Sequence, residues 1–148
     1  MRQGLKVVAA VAALGVAGCG GGSSNKTLSY SDFSKQANDI CKTTNAKSQG
    51  QKLTNDLKAD AVTLGNLIPQ VESAIGQFHK LKPPAELKAD FDQFLSISDQ
   101  QLANAKKAQA AAQAGDKTGF IAALKATAPL QPQSHALGSK LGAAECAK

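Results

Sequence analysis

The chain reads as an all-α protein, an antiparallel bundle of about four helices of which one or two are kinked at proline, and three features lead there. Apolar residues recur at spacings of three and four in four successive stretches, the period of one helical face. Proline and glycine gather between those stretches, where connections belong. No stretch alternates at period two with β-branched residues, the pattern of a half-buried strand.

From the N-terminus, Arg2 and Lys6 precede an apolar run from Val7 to Val16 and the small residues Ala17 and Gly18. A basic head, an apolar run and small residues form the plan of an export signal. The run is about half the roughly 20 residues that a membrane-spanning helix needs, so a permanent span is not expected. There is no twin arginine, which favours the general secretory route. The end of the run, Leu14-Gly15-Val16-Ala17-Gly18-Cys19, resembles the lipobox of bacterial lipoprotein precursors. The resemblance implies a diacylglyceryl group on the Cys19 thiol, cleavage just before that residue, and acylation of the new amine. The alternatives are an ordinary signal peptide with an incidental cysteine, or an uncleaved hydrophobic tail. Two or more acyl chains give stable attachment, each buried CH₂ adding about 0.8 kcal/mol. Gly20-Gly21-Gly22-Ser23-Ser24-Asn25 then has the makeup of a flexible tether. The expected organisation is a signal over residues 1–18, a lipidated cysteine and tether over 19–28, and a helical domain over 29–148.

In that domain Ser29 or Ser31 is placed to cap a helix starting near Asp32, with Phe33, Ala37, Ile40 and Cys41 on one face. This helix fades by Gly50. A second pattern runs from about Leu53 to Leu81, with Leu57, Ala61, Leu64, Ile68, Val71, Ile75 and Phe78 alternately four and three apart, a bundle seam. Pro69 interrupts it, removes an amide donor and presses on the carbonyl of Gly65, which predicts a kink or a break. Lys82-Pro83-Pro84-Ala85-Glu86-Leu87 reads as a turn and a helix start. The third helix carries Leu87, Phe91, Phe94, Leu95, Ser98, Leu102 and Ala105 on one side and closes at Gly115. Asp116 suits the N-cap of a last helical region bearing Phe120, Ala123, Leu124 and Ala128. Pro129 and Pro132 should break or bend that region before Leu137, Leu141 and Ala144 resume it. Large apolar residues are few and alanines many, so a thin, closely spaced core is expected.

Charge narrows the function. Without Arg2 and Lys6, fifteen lysines stand against eleven acidic residues, a formal +4 spread along the chain. Arginine makes the forked contacts to phosphate and guanine, and residues 19–148 contain none, so nucleic-acid binding is disfavoured. Besides Cys19 the chain holds Cys41 and Cys146, an even pair in an export compartment where disulfides persist. Two buried free thiols are the other reading. A bridge would close a loop of about 106 residues, for which chain entropy gives roughly 4.7 kcal/mol at the upper end.

Ala37-Asn38-Asp39-Ile40-Cys41, Pro83-Pro84-x-x-Leu87 and Leu141-Gly142-Ala143-Ala144-Glu145-Cys146 together resemble a group of small secreted or lipid-anchored helical proteins found mainly in actinobacteria. The resemblance implies a Cys41 to Cys146 bridge across a helical bundle and carries no established activity.

Residues for catalysis are sparse. His79 and His135 are the two histidines, and neither has a histidine or acidic partner three or four residues away, as a metal site on one helix requires. Ser134 and His135 are adjacent without a G-x-S-x-G turn. Asp90 and Asp92 lie two apart on a helix and point in different directions. The expected protein is therefore a non-catalytic, cofactor-free lipoprotein, held to the membrane through acylated Cys19 and facing the exterior or periplasm. Its expected partner is an envelope protein or a cell-wall polymer. A carrier of a small apolar ligand, held near the Pro69 kink among Phe78, Phe91 and Phe94, is the alternative. A metal site using His79 and His135 is a third reading.

Overall fold

The computed structural model describes residues 26–54 and 56–148. The expected signal, Cys19 and the Gly20 to Asn25 tether lie outside the described residues. Helix α1 spans Tyr30–Ser48, α2 Leu57–Phe78, α3 Lys88–Gln113, α4 Lys117–Thr127 and α5 Leu130–Lys140. Short 3₁₀ turns at Ala85–Leu87 and Ala144–Ala147 complete the described secondary structure, which includes no strand. No helix among the described residues is long and apolar enough to cross a membrane.

Side-chain caps set the starts of α1, α2 and α4. Ser29 Oγ accepts from Asp32 N at 3.1 Å, so Ser29 rather than Ser31 begins α1. Asp56 Oδ1 accepts from Lys58 N and Ala59 N at 2.9 and 3.0 Å and begins α2, later than the expected Leu53. Asp116 Oδ1 accepts from Gly119 N at 2.9 Å and begins α4 as expected. Each contact satisfies a first-turn amide that has no partner within its own helix.

Glycine ends two of them. Gly115 has φ +71, and the bonds Asp116 N to Ala111 O and Gly115 N to Ala112 O close α3 in a Schellman motif. Gly142 repeats it after α5, with φ +69 and bonds from Ala143 N to Gly138 O and from Gly142 N to Ser139 O.

The prolines behave differently from one another. Pro69 does not break α2, which runs as one helix of 22 residues. It lies on the exposed side, and Ile68 and Ala74 on either side of it are buried, so packing holds both arms. Pro129 does break the last region: it is the N-cap of α5. Pro132 falls in the first turn of α5, where no amide donor is needed.

Helices α2 and α3 form an antiparallel spine. Lys106 Nζ reaches Glu72 Oε1 at 2.6 Å, and His79 Nε2 lies 3.7 Å from Asp99 Oδ2, so numbers fall on α3 as they rise on α2. The broken pair α4 and α5 fills the fourth bundle position and runs back along α3, with Gly119 beside Ala111 at one end and Lys140 paired to Asp90 at 3.5 Å at the other.

The core divides along this spine into two clusters. One contains Phe33, Ala37, Ile40, Ala74, Phe78, Phe91, Phe94, Ile97, Leu137, Leu141 and Ala143, from α1, the end of α2, the start of α3, α5 and its C-terminal extension. The other, of Leu64, Ile68, Ala108, Ala112, Phe120 and Ala123, is supplied by α2, α3 and α4 alone.

Candidate functional site

Cys41 lies on α1, partly buried against the larger cluster, as its place on the helix face requires. Its Cα is 5.1 Å from that of Cys146, and the two form a disulfide that joins the first helix to the C-terminal 3₁₀ turn. The alternative of two free thiols is thereby excluded.

Around the bridge, residues 142–146 lie as a strap along α1. Asn38 holds both of its sides: Nδ2 donates to Gly142 O at 2.9 Å, and Oδ1 accepts from Glu145 N at 2.9 Å. Asn45 Nδ2 donates to Glu145 O at 2.8 Å, and Ser34 Oγ donates to Gly142 O. A Cβ on Gly142 would stand 2.5 Å from the Tyr30 hydroxyl, so the strap comes this close only with glycine there. Nothing local in the sequence marks Ser34 for this role, Asn45 reads only as part of the fading end of the first helix, which in fact continues to Ser48, and Asn38 belongs to a resemblance alone. Their signal is weak, polar residues at spacings of four and seven beside a core face.

The two histidines occupy different settings. His79 is the C-cap of α2, about half exposed, and faces Asp99 of α3. It lines an open hollow with Asp92, Leu95 and Asp99. His135 is a half-buried residue of α5 next to buried Ser134 and does not line that hollow. Among the described residues no group of three or more His, Cys, Asp or Glu side chains is arranged to hold a metal ion. Asp90 and Asp92 point apart, the first to Lys140 at 3.5 Å and the second to Lys88 at 2.6 Å.

Phe78, Phe91 and Phe94 are 3 to 5% exposed and pack on one another, with ring centroids 5.2 Å apart for Phe78 and Phe94 and 6.5 Å for Phe78 and Phe91. Phe33 meets Phe91 edge to face at 5.1 Å. Pro69 is nine residues before Phe78 on the same helix, about 13 Å along its axis at 1.5 Å per residue. The structure therefore does not bring the proline and the phenylalanines into one pocket. A shallow groove of about 400 Å³ instead runs between α1 and the end of α2, lined by Gln36, Ile40, Thr43, Gln77 and Leu81 among others.

One buried acid was not foreseen. Asp60, in the first turn of α2, is 0% exposed and accepts from Thr54 N at 2.7 Å and Thr54 Oγ1 at 3.2 Å. It ties the loop after α1 to the helix it precedes, and a buried carboxylate is retained only where such donors meet it. No known protein family, curated protein or solved structure matches this chain.

Proposed function

We propose that the protein is a lipid-anchored lipoprotein of the bacterial cell envelope, and that its helical domain is a non-catalytic binding or interaction module for an envelope protein or cell-wall polymer. The observation that carries the reading is the sequence Leu14-Gly15-Val16-Ala17-Gly18-Cys19 at the end of a basic and apolar head. The Cys41 to Cys146 disulfide supports it, since such bonds persist outside the reducing cytosol.

Intact mass spectrometry of the protein isolated from its own membrane, with and without reductant and alkylation, tests both supports. The expected mass begins at Cys19 with two or three acyl chains, and Cys41 and Cys146 resist alkylation until reduced. An unlipidated chain with two reactive thiols would overturn the reading.

A further inference from the structure

The bundle has two poles, and the described residues just before α1 lie at one of them. Leu28 N donates to Lys82 O at 2.8 Å, which pins the entry of the domain beside the turn between α2 and α3. From Cys19 to Lys26 are seven residue steps, which span at most about 25 Å even when fully extended. Helix α3, of 26 residues, runs from this pole to the other, a length of about 39 Å at 1.5 Å per residue. A domain anchored at Cys19 therefore cannot stand inverted on the bilayer, because its entry pole would be out of reach of the anchor.

The chemistry of the entry pole suits an anionic surface. Lys26, Lys80 and Lys82 are all exposed there. Of the nearby acids, Asp90, Asp92 and Asp39 are paired with Lys140, Lys88 and Lys35, while Asp32, which accepts from the neutral Ser29 Oγ at 2.7 Å, and Glu86 at the start of the 3₁₀ turn keep their charges, so the three lysines still outnumber the unpaired carboxylates. Lysines near an anionic leaflet are attracted within about a Debye length, roughly 8 to 10 Å at physiological salt.

We propose that this pole, through Lys26, Lys80 and Lys82, rests on the anionic headgroups of the bilayer, and that the opposite pole, at the turn from α3 to α4, points away from the membrane. The proposal rests on the anchoring at Cys19 proposed above. It makes the distal pole, built by α2, α3 and α4, the part of the domain open to partners.

The test uses full-length protein purified from its membrane, carrying Ala85→Cys near Lys82 or Ala114→Cys at the far end of α3. With Cys19 acylated and Cys41 bonded to Cys146, a fluorophore attaches only at the new thiol. The protein is placed in vesicles of phosphatidylglycerol and phosphatidylcholine in equal parts, with a nitroxide on a minor lipid's headgroup. Quenching several-fold stronger at residue 85 than at 114, and lowered by Lys80→Glu with Lys82→Glu, is expected. Equal quenching at both positions on acylated protein would overturn the orientation alone. Quenching at 85 that is unchanged by the charge reversal, or by pure phosphatidylcholine, would overturn the headgroup contact. A mass showing no acyl chains on Cys19 would overturn this proposal together with the anchoring itself.

Discussion

The half of the bundle nearest the entry of the chain holds four of the five phenylalanines, the disulfide and the asparagine-held strap, whereas the other half closes on Phe120, Leu64, Ile68 and three alanines. The two halves share the same spine, so the difference is not one of helix type. In the first, large rings fill the space between four helical segments and contact one another edge to face, which adds to burial. In the second, small side chains let three helices approach closely: a Cβ on Gly65 would stand 3.1 Å from Gln109 Nε2, and Ala108 and Ala112 are 0 and 3% exposed. Less apolar area leaves water there, and the cross-link lies elsewhere. The distal half should therefore be the first to open.

The sharpest test removes the bridge. The Cys41→Ala, Cys146→Ala double variant is expected to lose up to about 4.7 kcal/mol of stability in urea unfolding, the chain-entropy value for a loop of this size. A loss below about 2 kcal/mol, the low end of what native disulfides contribute, would mean that Asn38 and Asn45 hold the strap unaided and that the halves differ by packing alone.

Next in size is the aromatic cluster. Phe91 touches both Phe33 and Phe78, and Phe91→Ala is expected to cost about 3 to 5 kcal/mol through lost burial and a cavity between four segments. The opposite error tests the distal half. Ala112→Leu inserts methylenes where backbones already meet closely, and should cost about 1 to 3 kcal/mol by overpacking. Thermal unfolding of both variants compares the halves directly; a neutral or stabilising Ala112→Leu would show that the distal half holds unfilled space and is not close-packed.

Much of this was legible from local rules. The face Phe33, Ala37, Ile40, the Asp116 cap, the Gly115 stop and the break at Pro129 all follow from patterns contained within a few residues. What was not legible depends on distant partners. Asp60 delays the start of α2 by holding Thr54, a contact that nothing in Leu53 to Asp60 declares. Pro69 fails to break α2 because buried residues on both sides clamp it, which outweighs one lost amide bond. Asn38 reads as an ordinary surface residue until residues 142–146 arrive beside it. The division of the core is likewise invisible along the chain, since the apolar seams of α2 and α3 continue without a break through both halves.

The smallest effects separate the halves most cleanly, because the same loss is applied to each. Ser29 caps α1 in the cross-linked half and Asp116 caps α4 in the distal half, each through one side-chain bond to a first-turn amide. Replacing either with alanine should cost about 1 kcal/mol, the usual value for a lost N-cap. The global loss is thus alike, but its expression should not be. Helix α1 is tied at Cys41 and along the strap, so Ser29→Ala should free only the amides of its first turn. Helix α4 spans 11 residues, has no covalent tie, and buries Phe120 and Ala123 alone among its side chains. Asp116→Ala should therefore raise hydrogen exchange along the whole of α4, as one local opening whose free energy lies below that of global unfolding. Exchange confined to the first turn in both variants would mean that the distal half is as cooperative as the cross-linked one, and that the alanine packing against α3 supplies on its own what the disulfide and the rings supply at the other pole.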